Sequence, residues 1–166
     1  MPFIVSIVGR SGSGKTTLIE KLIGHFNEKG HKIAIIKHLR HDFDVDRPGK
    51  DTWRYRAAGC PGVVITNDFE CALIERLEKP SGSVELALRF FGGYDIVLIE
   101  GDKEAEVFKI EVVGDSAEAP LFASGTGNIV AVVCDGPVSG DLPRFARDDA
   151  SGVGRFIENL LLETCR

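Results

Sequence analysis

A chain of 166 residues, 43% of them hydrophobic, is long enough for one domain with a sizeable core. Its 20 basic and 25 acidic residues give a formal net charge of −5, which argues against general nucleic-acid or membrane-surface binding, because both need a basic footprint. No apolar run approaches membrane-spanning length and no basic segment precedes a signal-like apolar stretch, so a cytoplasmic protein with no membrane partner is expected. Cys60, Cys71, Cys134 and Cys165 are scattered without a C-x-x-C pair, the pattern of reduced thiols rather than of a disulfide framework or a zinc site.

In chain order, Phe3–Val8 is a short apolar run suited to a buried parallel strand. Directly after it, Gly9-Arg10-Ser11-Gly12-Ser13-Gly14-Lys15-Thr16-Thr17 matches G-x-x-x-x-G-K-[ST] at every fixed position. Leu18, Ile19, Leu22, Ile23 and Phe26 then share one face of a helix that begins around Gly14–Lys15 and ends near Gly30. Gly9, Gly12 and Gly14 permit turns that aim successive N–H groups inward at an anion, and the helix adds its positive end beneath the same phosphates. The run Gly9–Thr17, with Arg10, Ser11, Ser13 and Thr17 in it, reads as a cradle for a nucleoside triphosphate. Lys15 supplies a compact charge for the β- and γ-phosphates, and the Thr16 hydroxyl suits Mg²⁺. An ordinary glycine-rich turn is the competing reading, and the complete motif between strand and helix disfavours it.

Lys32–Lys37 is a second strand, completing a βαβ unit with a right-handed crossover. The polar segment His38–Asp51 is a loop leaving a strand beside the nucleotide strand, where open α/β sheets bind ligands. Its Asp42, Asp44 and Asp46 are candidates to reach Mg²⁺, orient a water or hold a ligand, against the alternative of a solvated acidic loop. His38 and His41 are weaker metal candidates. Asp51–Ala58 reads as a short helix with Asp51 as its N-cap and Trp53 packed inward, while Arg54 and Arg56 contact phosphate or form surface ion pairs.

Gly62–Thr66 and Phe69–Arg76 flank a tight turn at Asn67-Asp68 and read as an antiparallel hairpin attached to a parallel core. Ser83 is expected to cap a helix whose Val84, Ala87, Leu88 and Phe91 share a face, ended by Gly92-Gly93. Tyr94–Gly101 follows the Walker B pattern with Glu100 as the acid, able to hold Mg²⁺ through water or polarise the attacking water, against the alternative of an acid that caps the following loop. Gly101 would let the backbone approach the γ-phosphate. Val107–Val113 is a further strand carrying Lys109 and Glu111, Asp115–Phe122 an irregular connection, and Asn128–Cys134 the next buried strand. Asp135, at that strand's end, is a candidate to accept the guanine N1–H and amine, although the usual Asn/Thr-Lys-x-Asp tetrad is absent. Val153, Phe156, Ile157, Leu160 and Leu161 define a C-terminal amphipathic helix. With no repeat or linker, the expected fold is one α/β domain, a mostly parallel sheet of the P-loop NTPase type flanked by helices, with an additional antiparallel hairpin.

The phosphate loop, Lys37-His38 with His41-Asp42-Phe43-Asp44, Pro48-Gly49-Lys50-Asp51-Thr52-Trp53-Arg54, Ala58-Gly59, Glu100-Gly101 and Lys109-Ile110-Glu111-Val112 together resemble the molybdopterin-guanine dinucleotide biosynthesis protein B family. The resemblance runs from Phe3 to about Asp135. It implies a GTP-binding homodimer of the SIMIBI branch that uses Mg²⁺, with at most slow GTPase activity. Such a protein assists a nucleotidyltransferase that joins GMP to molybdopterin, giving the guanine dinucleotide form of the molybdenum or tungsten cofactor. Related dimers carry a lysine at the position of Arg10 that reaches the partner's nucleotide, so Arg10 is a candidate to act on the partner's phosphates in trans, against the alternative of an ordinary exposed arginine. Asp102 departs from the aromatic or apolar residue expected before Lys103. Two other functions stay open on the phosphate chemistry: a small-molecule kinase whose acceptor sits at Asp42–Asp46, though no Arg-rich lid is evident, and a metallochaperone GTPase using His38, His41 or Cys60.

Overall fold

The computed structural model describes residues 1–114, 119–125, 127–136 and 140–164. They group into two compact units, one made of Met1–His38 with Gly82–Arg166, the other of Leu39–Ser81.

The first unit is built on a six-stranded sheet of order β2-β5-β1-β6-β7-β8, with strands β1 Phe3–Val8, β2 Ile33–Lys37, β5 Ile96–Glu100, β6 Phe108–Val112, β7 Ile129–Val133 and β8 Arg144–Phe145. Every pairing in it is parallel. The expected βαβ unit is present as a chain order, but β2 is not beside β1, because β5 lies between them. Burial explains the order. Ile96, Val97, Leu98 and Ile99 are all fully buried, as a strand covered on both faces must be, whereas β2 carries half-exposed isoleucines and ends on exposed Lys37. β2 is the edge, and β5 is an interior strand flanked by β2 and β1. The two-residue β8 at the opposite edge was not anticipated by the sequence pattern.

Helices α1 (Lys15–Glu28) and α4 (Ala150–Thr164) cover one face. Leu18, Ile19, Leu22 and Phe26 recur at three- and four-residue spacing and pack with Val153 and Ile157 over Val5, Ile7, Leu98 and Ile110. Truncating the fully buried Phe26 to alanine would cost about 3–5 kcal/mol by that packing alone. Helix α3 (Ser83–Phe91) belongs to the other face, where Ala87 meets Ala34 and Val97 with Phe91 and Tyr94 alongside. Leu88, expected on the packed face, is instead 42% exposed. Ser83 does not cap the helix either: Gly82 is the N-cap, and Ser83 is its buried first residue.

The second unit contains α2 (Asp51–Ala57) and a separate two-stranded antiparallel sheet, β3 (Gly62–Thr66) with β4 (Cys71–Glu75). The hairpin is therefore not joined to the parallel sheet. Its turn is longer than the expected two-residue turn at Asn67-Asp68: the Asn67 N–H donates to the Glu70 carbonyl, and the Asn67 side-chain oxygen accepts from Phe69 and Glu70 N–H. Lys50, not Asp51, is the N-cap of α2, and Trp53 is exposed rather than packed inward. A seven-residue helix beside two strands has too little apolar surface to bury an indole.

Candidate functional site

The phosphate loop is shaped by backbone that only glycine tolerates well. Gly9, Gly12 and Gly14 have φ of 148°, 73° and 97°. At Gly9 a Cβ would also collide with the Val112 carbonyl oxygen of β6, so conformation and space both demand glycine. Gly14 is the N-cap of α1, no acidic residue occupies the first turn, and Lys15 opens the helix. The positive end of the helix thus faces the loop uncompensated. The Lys15 ammonium donates to the carbonyls of Gly9 at 3.2 Å and Arg10 at 2.7 Å, spanning the loop. Burial lowers its pKa from 10.5, with Lys103 and Lys37 acting the same way and the Glu100 carboxylate opposing them. Ser13 is buried, and its hydroxyl has no hydrogen-bond partner among the described residues, the kind of orphaned donor an anion would satisfy. Ser11, Thr16 and Thr17 are exposed around it.

Glu100 ends β5 beside the loop. Its Oε1 accepts the Thr16 hydroxyl at 2.9 Å and lies 4.0 Å from the Lys37 ammonium. Threonine hydroxyl and carboxylate oxygen are hard ligands, so the pair fits a Mg²⁺, and the loop fits phosphate. Gly101 passes close to the His38 carbonyl with φ of 90°, and its own N–H donates to Ile7 at 3.0 Å. The Gly101 N–H is thus engaged within the sheet, at the turn that follows Glu100.

The departure at Asp102 has a structural role. Asp102 is 6% exposed; its Oδ2 accepts the Ser83 hydroxyl at 2.7 Å and its Oδ1 accepts the Glu104 and Ala105 N–H groups. Its carbonyl accepts the Ser6 hydroxyl at 2.8 Å, and the Ser83 hydroxyl also lies 3.4 Å from His38 Nδ1. The turn after Glu100 is thereby pinned to β1, to α3 and to the end of β2. Burial pushes the carboxyl pKa up, but the Ser83 bond, the two amides and nearby His38 together hold it below 3.8. A carboxyl depressed on folding stabilises the protein above its unfolded pKa, and that contribution is lost as pH falls through the folded value. Asp102→Asn is expected to cost about 2 kcal/mol at neutral pH. The difference from wild type should shrink below about pH 4 in denaturant titrations run at several pH values.

On the other side of the loop a cavity of about 510 Å³ is lined by Ser13, Gly14 and Thr17, and by Asp135, Arg147 and Asp148. The structure thus brings Asp135 to the phosphate loop. Its oxygens, however, face Arg147: Oδ1 accepts the Arg147 N–H at 3.0 Å and Oδ2 lies 3.6 Å from Nε. Arg147 also donates to the Val113 carbonyl at 2.9 Å. Arg147 and Asp148 escaped the sequence reading. The signal was the Asp148-Asp149 pair ahead of the last helix, of which a cap uses only one.

Arg10 donates from Nη2 to the Ala119 carbonyl at 3.0 Å. Buried Glu111 accepts the N–H groups of Leu121 and Phe122 at 2.6 and 3.0 Å, holding the segment to which Arg10 is tied. Buried Lys109 donates to the Gly127 carbonyl at 3.0 Å. Asp115, Pro137 and Cys165 lie outside the described residues.

The remaining candidates belong to the second unit. Asp42 and Asp44 are exposed, and His41 Nδ1 lies 2.8 Å from the Asp42 carbonyl. Asp46 accepts the N–H of Arg47, and the Cys60 thiol donates to the Gly62 carbonyl. Arg54 pairs with Asp51 at 3.8 Å on the surface. Among the described residues no three His, Cys, Asp or Glu side chains converge as metal ligands, and no helix is long and apolar enough to cross a membrane. Cys60, Cys71 and Cys134 are free thiols.

Comparison with known proteins places this site in a family. Residues 4–135 match the profile described as molybdopterin guanine dinucleotide synthesis protein B. The chain is 35% identical to the molybdopterin-guanine dinucleotide biosynthesis adapter protein of Haemophilus influenzae, over 95% of this chain and 89% of that one. It is 33% identical to the adapter protein of the same name from Escherichia coli, over 93% and 90%. A crystal structure of molybdopterin-guanine biosynthesis protein B superposes with a TM-score of 0.79 at 32% identity, covering 95% of this chain and 99% of that one. The chain belongs to the molybdopterin guanine dinucleotide synthesis protein B family.

Proposed function

We propose that this protein binds Mg²⁺·GTP at the Gly9–Thr17 loop and acts as an adapter in molybdopterin guanine dinucleotide formation, assisting the nucleotidyltransferase that attaches GMP to molybdopterin. The observation that carries the nucleotide reading is the 2.9 Å bond between the Thr16 hydroxyl and Glu100, beside a lysine that spans the phosphate loop. Thr16 and Glu100 are the oxygens that would hold the magnesium, Lys15 and the amides of the loop the groups that would hold the phosphates. When bound, the ion supplies charge neutralisation between the β- and γ-phosphates. Glu100 is the one candidate in this set to orient a water, and it is already engaged by Thr16, consistent with slow hydrolysis. The adapter role is drawn from the names carried by the relatives and from the shared fold.

A homodimer is part of this reading. Val64, Ile65, Phe69 and Leu73 of the hairpin are all exposed, Phe69 at 95%, and a two-stranded sheet leaves both outer edges open to pairing. In such a dimer Arg10 is the residue proposed to reach the partner's phosphates, after release from the Ala119 carbonyl. The test of the function is reconstitution. Adding the purified chain to a molybdopterin guanylyltransferase with molybdopterin and Mg²⁺·GTP should increase guanine dinucleotide yield. Yield unchanged across a range of chain concentrations would overturn the adapter role.

A further inference from the structure

We infer that Asp148, not Asp135, is the carboxylate that selects guanine, an assignment resting on the reading of the phosphate loop as a GTP site. With the phosphates on the loop, the nucleoside has to extend away from the Thr16–Glu100 pair, and the 510 Å³ cavity beside Ser13, Gly14 and Thr17 lies on that route. Its size falls within the range of small-ligand pockets, about 300–1,000 Å³. Guanine presents two adjacent donors, N1–H and the exocyclic amine, which a carboxylate matches with two acceptors. Adenine presents an acceptor at N1 and is repelled there.

Three carboxylates lie in this region, and the structure gives two of them other work. Asp135 turns both oxygens to Arg147, taking its N–H at 3.0 Å and facing its Nε at 3.6 Å, so the Asp135–Arg147 pair forms a cavity wall. Asp149 caps α4, with Oδ1 accepting the Gly152 N–H at 2.8 Å. Asp148 is exposed, lines the cavity and has no hydrogen-bond or ion-pair partner among the described residues. It is the carboxylate left to accept from a base.

The experiment compares GTP, ATP and xanthosine triphosphate binding, each with Mg²⁺, in wild type, Asp148→Asn, Asp148→Ala and Asp135→Asn. Xanthine carries a carbonyl where guanine carries the amine, so the side-chain amide introduced by Asp148→Asn can donate to it. Asp148→Asn should bind GTP at least ~30-fold more weakly and prefer xanthosine triphosphate, a gain that simple misfolding cannot produce. Asp148→Ala should lose the GTP-over-ATP preference without gaining the new one. Retained GTP preference in both Asp148 variants, or a switch to xanthosine triphosphate in Asp135→Asn, overturns the assignment. Wild type that binds none of the three triphosphates overturns the GTP site itself, and with it this assignment.

Discussion

Lys15→Ala is expected to weaken Mg²⁺·GTP binding by roughly 100- to 1,000-fold, about 3–4 kcal/mol, while leaving the thermal unfolding of the apoprotein nearly unchanged. The ammonium's internal bonds are to the carbonyls of Gly9 and Arg10, on a loop otherwise shaped by glycine backbone and by the start of α1. Its larger task is electrostatic. Desolvation already works against its charge, so a phosphate nearby gains more from it than from an exposed lysine. Titration of a fluorescent GTP analogue measures the loss. An affinity within threefold of wild type would mean that the phosphates sit elsewhere.

Gly9→Ala carries the second large effect, and it falls on stability as well as binding. A Cβ at Gly9 would overlap the Val112 carbonyl, which is backbone of a central strand and has nowhere to move, and φ of 148° adds strain. A cost of about 3 kcal/mol or more follows, lowering Tm by about 6–12 °C in a chain of this size. Gly12→Ala is the control: its φ of 73° is also strained for alanine, but a Cβ there meets no atom within 4 Å. Gly12→Ala should cost about 1 kcal/mol. Equal melting temperatures for the two variants would contradict the steric account.

The parts of this molecule legible in its sequence are those whose information is local. β1, the phosphate loop and α1 follow from an apolar run, three glycines and a three-four spacing, and their boundaries fall within about two residues of expectation. Glu100 was legible for the same reason, as an acid closing a buried run. Strand order was not. Nothing in Ile33–Lys37 or Ile96–Glu100 states which lies beside β1, because partners are chosen by how completely each strand can be covered on both faces.

Long-range polar pairs were equally hidden. Ser83 has the composition of a cap, yet its hydroxyl serves Asp102, 19 residues away. Glu111 alternates with apolar neighbours as a solvent-facing strand residue would, yet it is buried against the amides of Leu121 and Phe122. Trp53 shows the reverse error, since a large apolar side chain goes inward only where a core exists to receive it. Asp148 differs from Asp149 only in which carboxylate the helix uses, which appears once the cap bond to Gly152 is seen.

The most direct measurement is calorimetric titration of the folded wild-type chain with Mg²⁺·GTP and Mg²⁺·ATP. A single saturable GTP site per chain, tighter than the ATP site and lost when EDTA removes the magnesium, is the predicted result. A folded chain that releases no binding heat with either nucleotide and gains no thermal stability from them would contradict the account at its root.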